Sequence, residues 1–453
     1  MERKRSIGLI LLLFLLTGHF SCRSPQPKPI EYAQYWRTEN EPTEHSKIYQ
    51  MNPNTDEEKQ TTSLPDQDKT TWVSLSSYRP VLVSATENDQ EKIIWWSLPH
   101  ADWQVIETAP ADSYLQSPYW MPDANGILYL KALEETQQGD FIHYASYELM
   151  QYLFSEKNPR RIGSFQSPVS SVAWSPDNTK VAFFARSDQT TAIWVYDVTT
   201  QELTSLCPVE ADQYSRNRIH WVDSHALVWL EVRSLYSWNL LERKKETVVT
   251  LPEVILGFDF YVPGSSLCLT YSLSEPSDKS VCMLYSWKNK KSQIIASGYQ
   301  IDSPRFSPDG SKILFFYRPS VSEKPDLVIF TIPTQKKTTV CSVDKITIYP
   351  WNANPTYAIW SPNSQQLLVE NKQESDSIVQ LYSLFPVKLL KDIIQTDFIY
   401  TYRFSPSGEW IKVEYPQEEQ TKITLYHWKS GKTIEMMGEW LGWSREDFSR
   451  FEP

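Results

Sequence analysis

An aromatic residue, then Ser-Pro, then Asp, Asn or Ser, then an apolar run: this unit recurs along the chain and restricts its fold more than any other feature. The clear copies are Trp174-Ser-Pro-Asp-Asn-Thr-Lys-Val-Ala-Phe-Phe184, Phe306-Ser-Pro-Asp-Gly-Ser-Lys-Ile-Leu-Phe-Phe316, Trp360-Ser-Pro-Asn-Ser-Gln-Gln-Leu-Leu-Val369 and Phe404-Ser-Pro-Ser-Gly-Glu-Trp-Ile-Lys-Val413. Weaker copies begin at Trp120, Trp221 and Phe258, and the anchors from Trp120 onward lie 37 to 54 residues apart. A four-stranded propeller blade consumes about that length. In each copy the aromatic ends a strand, Pro fixes φ, Asp or Asn bonds nearby backbone, and Gly accepts positive φ, so the chain reverses there. The following run is apolar at consecutive positions (Val181 to Ala185, Ile313 to Tyr317), as in a strand covered on both faces. A third strand rich in β-formers comes next, and eight of these begin near Ile93, Ile142, Ile193, Ser234, Val281, Leu327, Val379 and Ile423. No long window keeps a helical apolar period, and the 30 prolines would break one. The expectation is an all-β chain: a single β-propeller over 70–453, built of four-stranded antiparallel blades. The count is eight, or seven if the degenerate first unit only closes the ring. Trp440-Leu-Gly-Trp443 is expected to pair with the first blade.

The N-terminus reads as an address. Arg3, Lys4 and Arg5 precede an apolar run from Ile7 to Leu16, too short to span a bilayer. Gly18-His19-Phe20-Ser21-Cys22 resembles a bacterial lipobox, with the small Ser21 in place and His19 where that motif carries an aliphatic residue. The resemblance implies cleavage of residues 1–21 as a lipoprotein signal peptide and lipidation of Cys22. The arginine after Cys22 is not a mark of inner-membrane retention, so the expected address is the periplasmic face of the outer membrane. Residues 22–69 open Arg-Ser-Pro-Gln-Pro-Lys-Pro after the cysteine and stay polar, which reads as a flexible tether. Tyr32, Tyr35, Trp36, Ile48 and Tyr49 are its few apolar groups, enough for one added strand.

The repeat units resemble the Pro-Asp propeller repeat of the TolB family and of the propeller domains beside certain serine peptidases. That resemblance covers most of 70–437 and implies the fold, with envelope-complex work of the TolB kind; residues 22–69 are too few for that family's extra N-terminal α/β domain. Peptidase relatives carry a Gly-x-Ser-x-Gly elbow, which this sequence lacks. A net charge of −11 argues against a general nucleic-acid binder. His220, Asp223 and His225 are the one close set of metal-type ligands, and they fall in a turn of the repeat, so no metal and no cofactor is expected.

Charge sorts by loop type. Loops joining second to third strands sum to −10 and those joining third to fourth strands to +10. A propeller places these sets at opposite ends. The basic set (Lys288, Lys290, Lys291, Lys336, Lys337, Lys388, Lys429, Lys432) is expected to face an anionic membrane near the lipid anchor. The acidic end (Glu134, Glu135, Asp140, Glu418, Glu419) would meet a cationic envelope protein, helped by Tyr349, Trp351 and Tyr357 in the longest inter-blade loop. The leading reading is a non-catalytic scaffold. A carbohydrate or cell-wall binder using the aromatic loops is the second, and a propeller lyase or hydrolase with channel carboxylates the third.

Overall fold

The computed structural model describes residues 31–445, except 39–45, 64–68, 75–81, 88–89, 98–101, 111–112, 124, 139–140, 189, 210–218, 232, 252–254, 262–265, 274–278, 343–357, 373–375 and 418–419. Cys22 and the signal segment lie outside the described residues. Within them every regular element is a strand, and the strands form nine four-stranded antiparallel sheets. In chain order the second to ninth sheets occupy 69–108, 113–165, 170–208, 219–250, 255–298, 300–342, 358–396 and 401–437.

The first sheet closes the ring. Three of its strands, Glu31–Thr38, Ser46–Asn52 and Glu57–Ser63, come from the start of the described chain, and the fourth, Glu439–Arg445, comes from the end. Ala33 stands opposite Trp443 and Tyr35 opposite Trp440. The C-terminal strand thus pairs with the first sheet as expected, but that sheet lies upstream of the unit counted as first from the sequence. Two expectations are corrected here: the described residues form nine sheets instead of eight or seven, and 31–38, 46–52 and 57–63 are strands of a sheet instead of tether. The physical reason is visible in the packing. Ala33, Tyr49 and Met51 are buried against Trp410, Ile423, Leu425 and Met436 of the ninth sheet, and leaving that face bare would expose the ring's open side to water.

Each sheet runs from an inner first strand to an outer fourth strand. First strands of neighbouring sheets lie side by side, as Ser170–Trp174 does with Ile219–Asp223, whereas fourth strands such as Lys244–Thr250 are largely exposed. Second strands are buried on both faces: Val181, Ala182, Phe183, Phe184 and Ala185 all pack into clusters shared with adjacent sheets.

Antiparallel succession fixes the two ends of the ring. Turns joining first to second and third to fourth strands share one end, here the turn end. Connections from second to third strands and from sheet to sheet share the other, the loop end.

Candidate functional site

The turn end is built on a buried serine. In the fourth sheet Ser175 is buried, and its hydroxyl donates to Asp177 Oδ1 at 2.6 Å while accepting from the Lys180 N–H at 2.9 Å. Asp177 Oδ1 also accepts from the Thr179 N–H, and Asn178 takes φ 60°. Ser307 and Ser361 repeat this with Asp309 and Asn363, and Ser405 with Ser407. The sequence points to Pro and Asp as turn-makers; the serine at the centre of the bonding carries no separate signal beyond its recurrence. The Ser175 hydroxyl, helped by the bonds from Thr179 and the charge of Lys180, draws the Asp177 carboxyl down to about 2 against the opposing effect of desolvation.

The basic patch at this end is narrower than the loop charges predict. Lys432 is half-buried, ion-paired with Asp56 at 2.8 Å and donating to the Pro53 carbonyl at 2.9 Å, so it ties the ninth sheet to the first. Lys429 pairs with Glu409 at 3.6 Å and Lys244 with Glu246 at 2.8 Å. The first sheet's turn also brings Asp56, Glu57 and Glu58 to this end. The membrane-facing expectation for Lys432 is therefore corrected: its ammonium is committed inside the ring closure. Lys288, Lys290, Lys291, Lys336, Lys337 and Lys388 are exposed and form no ion pair among the described residues. They lie on three consecutive sheets, the sixth to the eighth. Phe385, 68% exposed, projects from the same arc with Lys312 Nζ 5.2 Å from its ring centroid, and Leu241, 74% exposed, tips the turn of the fifth sheet.

At the loop end Glu134 is exposed with φ 59°. Glu135 is in a strand opposite Tyr144. Asp140, Glu418, Glu419, Tyr349, Trp351 and Tyr357 lie outside the described residues. Sequence reasoning passed over a second aromatic feature there. The connection from the eighth to the ninth sheet carries Phe398 and Tyr400, 49% and 54% exposed, edge to face at 5.5 Å. Lys372 Nζ stands 5.9 Å from the Phe398 ring. The signal was present in Asp397-Phe398-Ile399-Tyr400, where only Ile399 packs inward.

Three ion pairs lie in the body of the sheets, and in two of them one side chain is buried, Glu231 and Lys412. Glu107 accepts from Lys131 Nζ at 2.7 Å and from the Tyr129 hydroxyl, joining the second and third sheets. Glu231 accepts from Lys245 at 3.0 Å and from Trp229 Nε1 at 2.7 Å. Lys412 donates to Glu414 at 2.6 Å. Each carboxylate accepts from a lysine, and Glu107 and Glu231 also from an aromatic side chain, an arrangement that orders packing. Among the described residues no group of three or more His, Cys, Asp or Glu side chains could hold a metal ion; Asp223 instead accepts from the His225 N–H at 2.7 Å. Burial pushes the Cys207 and Cys341 thiols up to about 11, so neither is poised as a nucleophile. Cys282 faces Thr270 and Cys268 faces Leu284, two places apart across the ladder.

No family model matches the chain, and no curated protein matches it in sequence. Solved structures do. A eukaryotic initiation factor is 11% identical, with 92% of this chain and 98% of that chain covered at a TM-score of 0.60. Dipeptidyl peptidase 4 of Porphyromonas gingivalis is 11% identical, with 87% of this chain and 64% of that chain covered at 0.53. TolB of Acinetobacter baumannii is 11% identical over 80% of this chain and 81% of that chain, at 0.33. At such identities the likeness concerns the fold alone: this chain shares the β-propeller architecture with its structural neighbours.

Proposed function

We propose that the chain is a lipid-anchored bacterial envelope protein whose propeller acts as a non-catalytic protein-binding scaffold. One observation carries the reading. Glu31 begins the second strand of the first sheet, so the described chain enters the ring at the turn end, the end that carries six exposed lysines and Phe385. From a lipidated Cys22, the eight residues 23–30 reach at most about 29 Å. A tether that short holds the turn end towards the bilayer, where the lysines meet anionic headgroups and Phe385 enters the interface. The loop end then points away, presenting Glu134 and the Phe398–Tyr400 pair to a partner. The same exposed aromatic pair is what favours the second reading, a cell-wall glycan stacked on the rings.

The test is an in-cell crosslinking pull-down of the full-length protein beside a variant with Glu134, Glu135, Asp140, Glu418 and Glu419 changed to Gln or Asn. A defined envelope protein held by the wild type and lost from the variant is the expected result. Capture of no protein by either form would discard the scaffold in favour of the glycan reading.

A further inference from the structure

The inner edge of the ninth sheet sets two cations against each other. Arg403, on the inner strand Thr401–Phe404, stands directly opposite Lys412 on the second strand. Residues directly opposite in an antiparallel pair point to one face, and like charges there are destabilising. Side chains alternate along a strand, so Lys412 shares its face with Trp410, which packs with Ala33, Tyr49 and Met51 of the first sheet. Lys412 is closed off there at 2% exposure and donates to Glu414 at 2.6 Å. Arg403 is exposed, and an inner strand flanked by two sheets is open only towards the centre of the ring.

The seventh sheet shows what an arginine in this place ordinarily meets. There Arg305 stands opposite Leu314, and Asp259 from the inner strand of the sixth sheet answers it at 3.9 Å. Asp259 is opposite Cys268 in its own sheet. In the eighth sheet, which precedes the ninth as the sixth precedes the seventh, the residue at that register is Ile359, opposite Leu368. The carboxylate on the Arg403 face, Glu414, is engaged by Lys412. Among the described residues no ion pair reaches Arg403. Burial lowers the Lys412 pKa, Glu414 raises it, and the charge of Arg403 lowers it again, as two cations within electrostatic reach do. Phe404 ends the inner strand at the turn, so Arg403 sits near the turn end, whose exposed Lys336, Lys337 and Lys388 draw anions towards that mouth.

We infer that Arg403 is the contact residue of an anion site on the inner wall of the ring, taking the carboxylate or phosphate group of a small soluble molecule. A guanidinium fork fits either group with two parallel hydrogen bonds, and the bound anion offsets the repulsion between Arg403 and Lys412. The site does not depend on the scaffold reading.

The test is equilibrium dialysis of the full-length protein against radiolabelled inorganic phosphate and, separately, acetate at fixed ionic strength, with stability followed by denaturant unfolding. Expected is a single bound anion per chain with at least one probe, and binding roughly tenfold or more weaker in Arg403→Gln. The variant Lys336→Gln, Lys337→Gln, Lys388→Gln should keep the site. Without either anion, Arg403→Gln should be at least as stable as the wild type, because it removes a like charge; a merely structural arginine would give a loss. Glycerol phosphate should compete for the site and phosphatidylglycerol vesicles should not, which separates a soluble ligand from a lipid headgroup. No binding of either probe, binding that survives Arg403→Gln, a loss of stability in anion-free Arg403→Gln, or displacement by the vesicles overturns the site. The pull-down above is untouched by these outcomes and judges the scaffold separately.

Discussion

Ser307 is 1% exposed, and its hydroxyl donates to Asp309 Oδ1 at 2.5 Å while accepting the Lys312 N–H at 3.0 Å. Removing it leaves a buried N–H with only part of its bonding, so Ser307→Ala should cost about 1–3 kcal/mol in denaturant unfolding, at neutral pH. The carboxyl beside it gives the pH dependence. Burial works to raise the Asp309 pKa, but the bonds from Ser307 and Ser311 and the charge of Lys312 outweigh it and hold the group at about 2. The unfolded value is higher, so the stabilisation is full above about pH 4 and disappears as pH falls towards 2. The gap between wild type and Ser307→Ala should therefore narrow across that window; a gap independent of pH would mean the hydroxyl does not serve the carboxylate. The Pro-Asp turns were legible in the sequence because Pro and Gly have backbone preferences of their own. The serine was not, because its role comes only from burial.

Closure of the ring is an affair of elements. The first sheet escaped a local reading because its inner strand, Glu439–Arg445, is supplied from the far end of the chain, and because strands such as Glu57–Ser63 are polar throughout. A signal did exist in Ser46–Asn52, where Tyr49 and Met51 alternate inward. The ninth sheet meets it with an unusual pair. Lys412 and Glu414 stand where the fourth and seventh sheets have Ala182 with Phe184 and Leu314 with Phe316, seven and nine residues after the buried serine. Lys412 is 2% exposed. Burial lowers its pKa to about 8 although Glu414 pulls upward. The folded state releases the proton before the unfolded chain does, so stability should rise from about pH 8 towards the ordinary lysine value. Lys412→Leu or Glu414→Leu alone strands the other charge, at a cost of roughly 3–5 kcal/mol, whereas the double change should be neutral or stabilising. A double-mutant cycle by denaturant unfolding decides this, and the double variant should lose the alkaline rise. Additive losses would show that the pair is not what fits these two sheets together.

For the molecule as a whole, the loop sequences suggest two oppositely charged ends, and at the turn end the basic set is narrower than they suggest. The turns from first to second strands add Asp309 and Glu409 to the basic end, the first sheet adds Asp56, and each takes up a lysine: Lys312, Lys429 and Lys432. What survives is an arc of exposed lysines on three consecutive sheets. The described chain enters its first sheet at that same end, with Glu31, and Glu134 stands at the other. One measurement separates these roles directly. Full-length protein in its own cells would carry a photo-crosslinking residue at position 134 or at position 385, and the adducts would be analysed by mass. The account predicts a discrete protein adduct from position 134 and phospholipid adducts from position 385. Lipid adducts from position 134, or a protein adduct from position 385 with none from position 134, would contradict it.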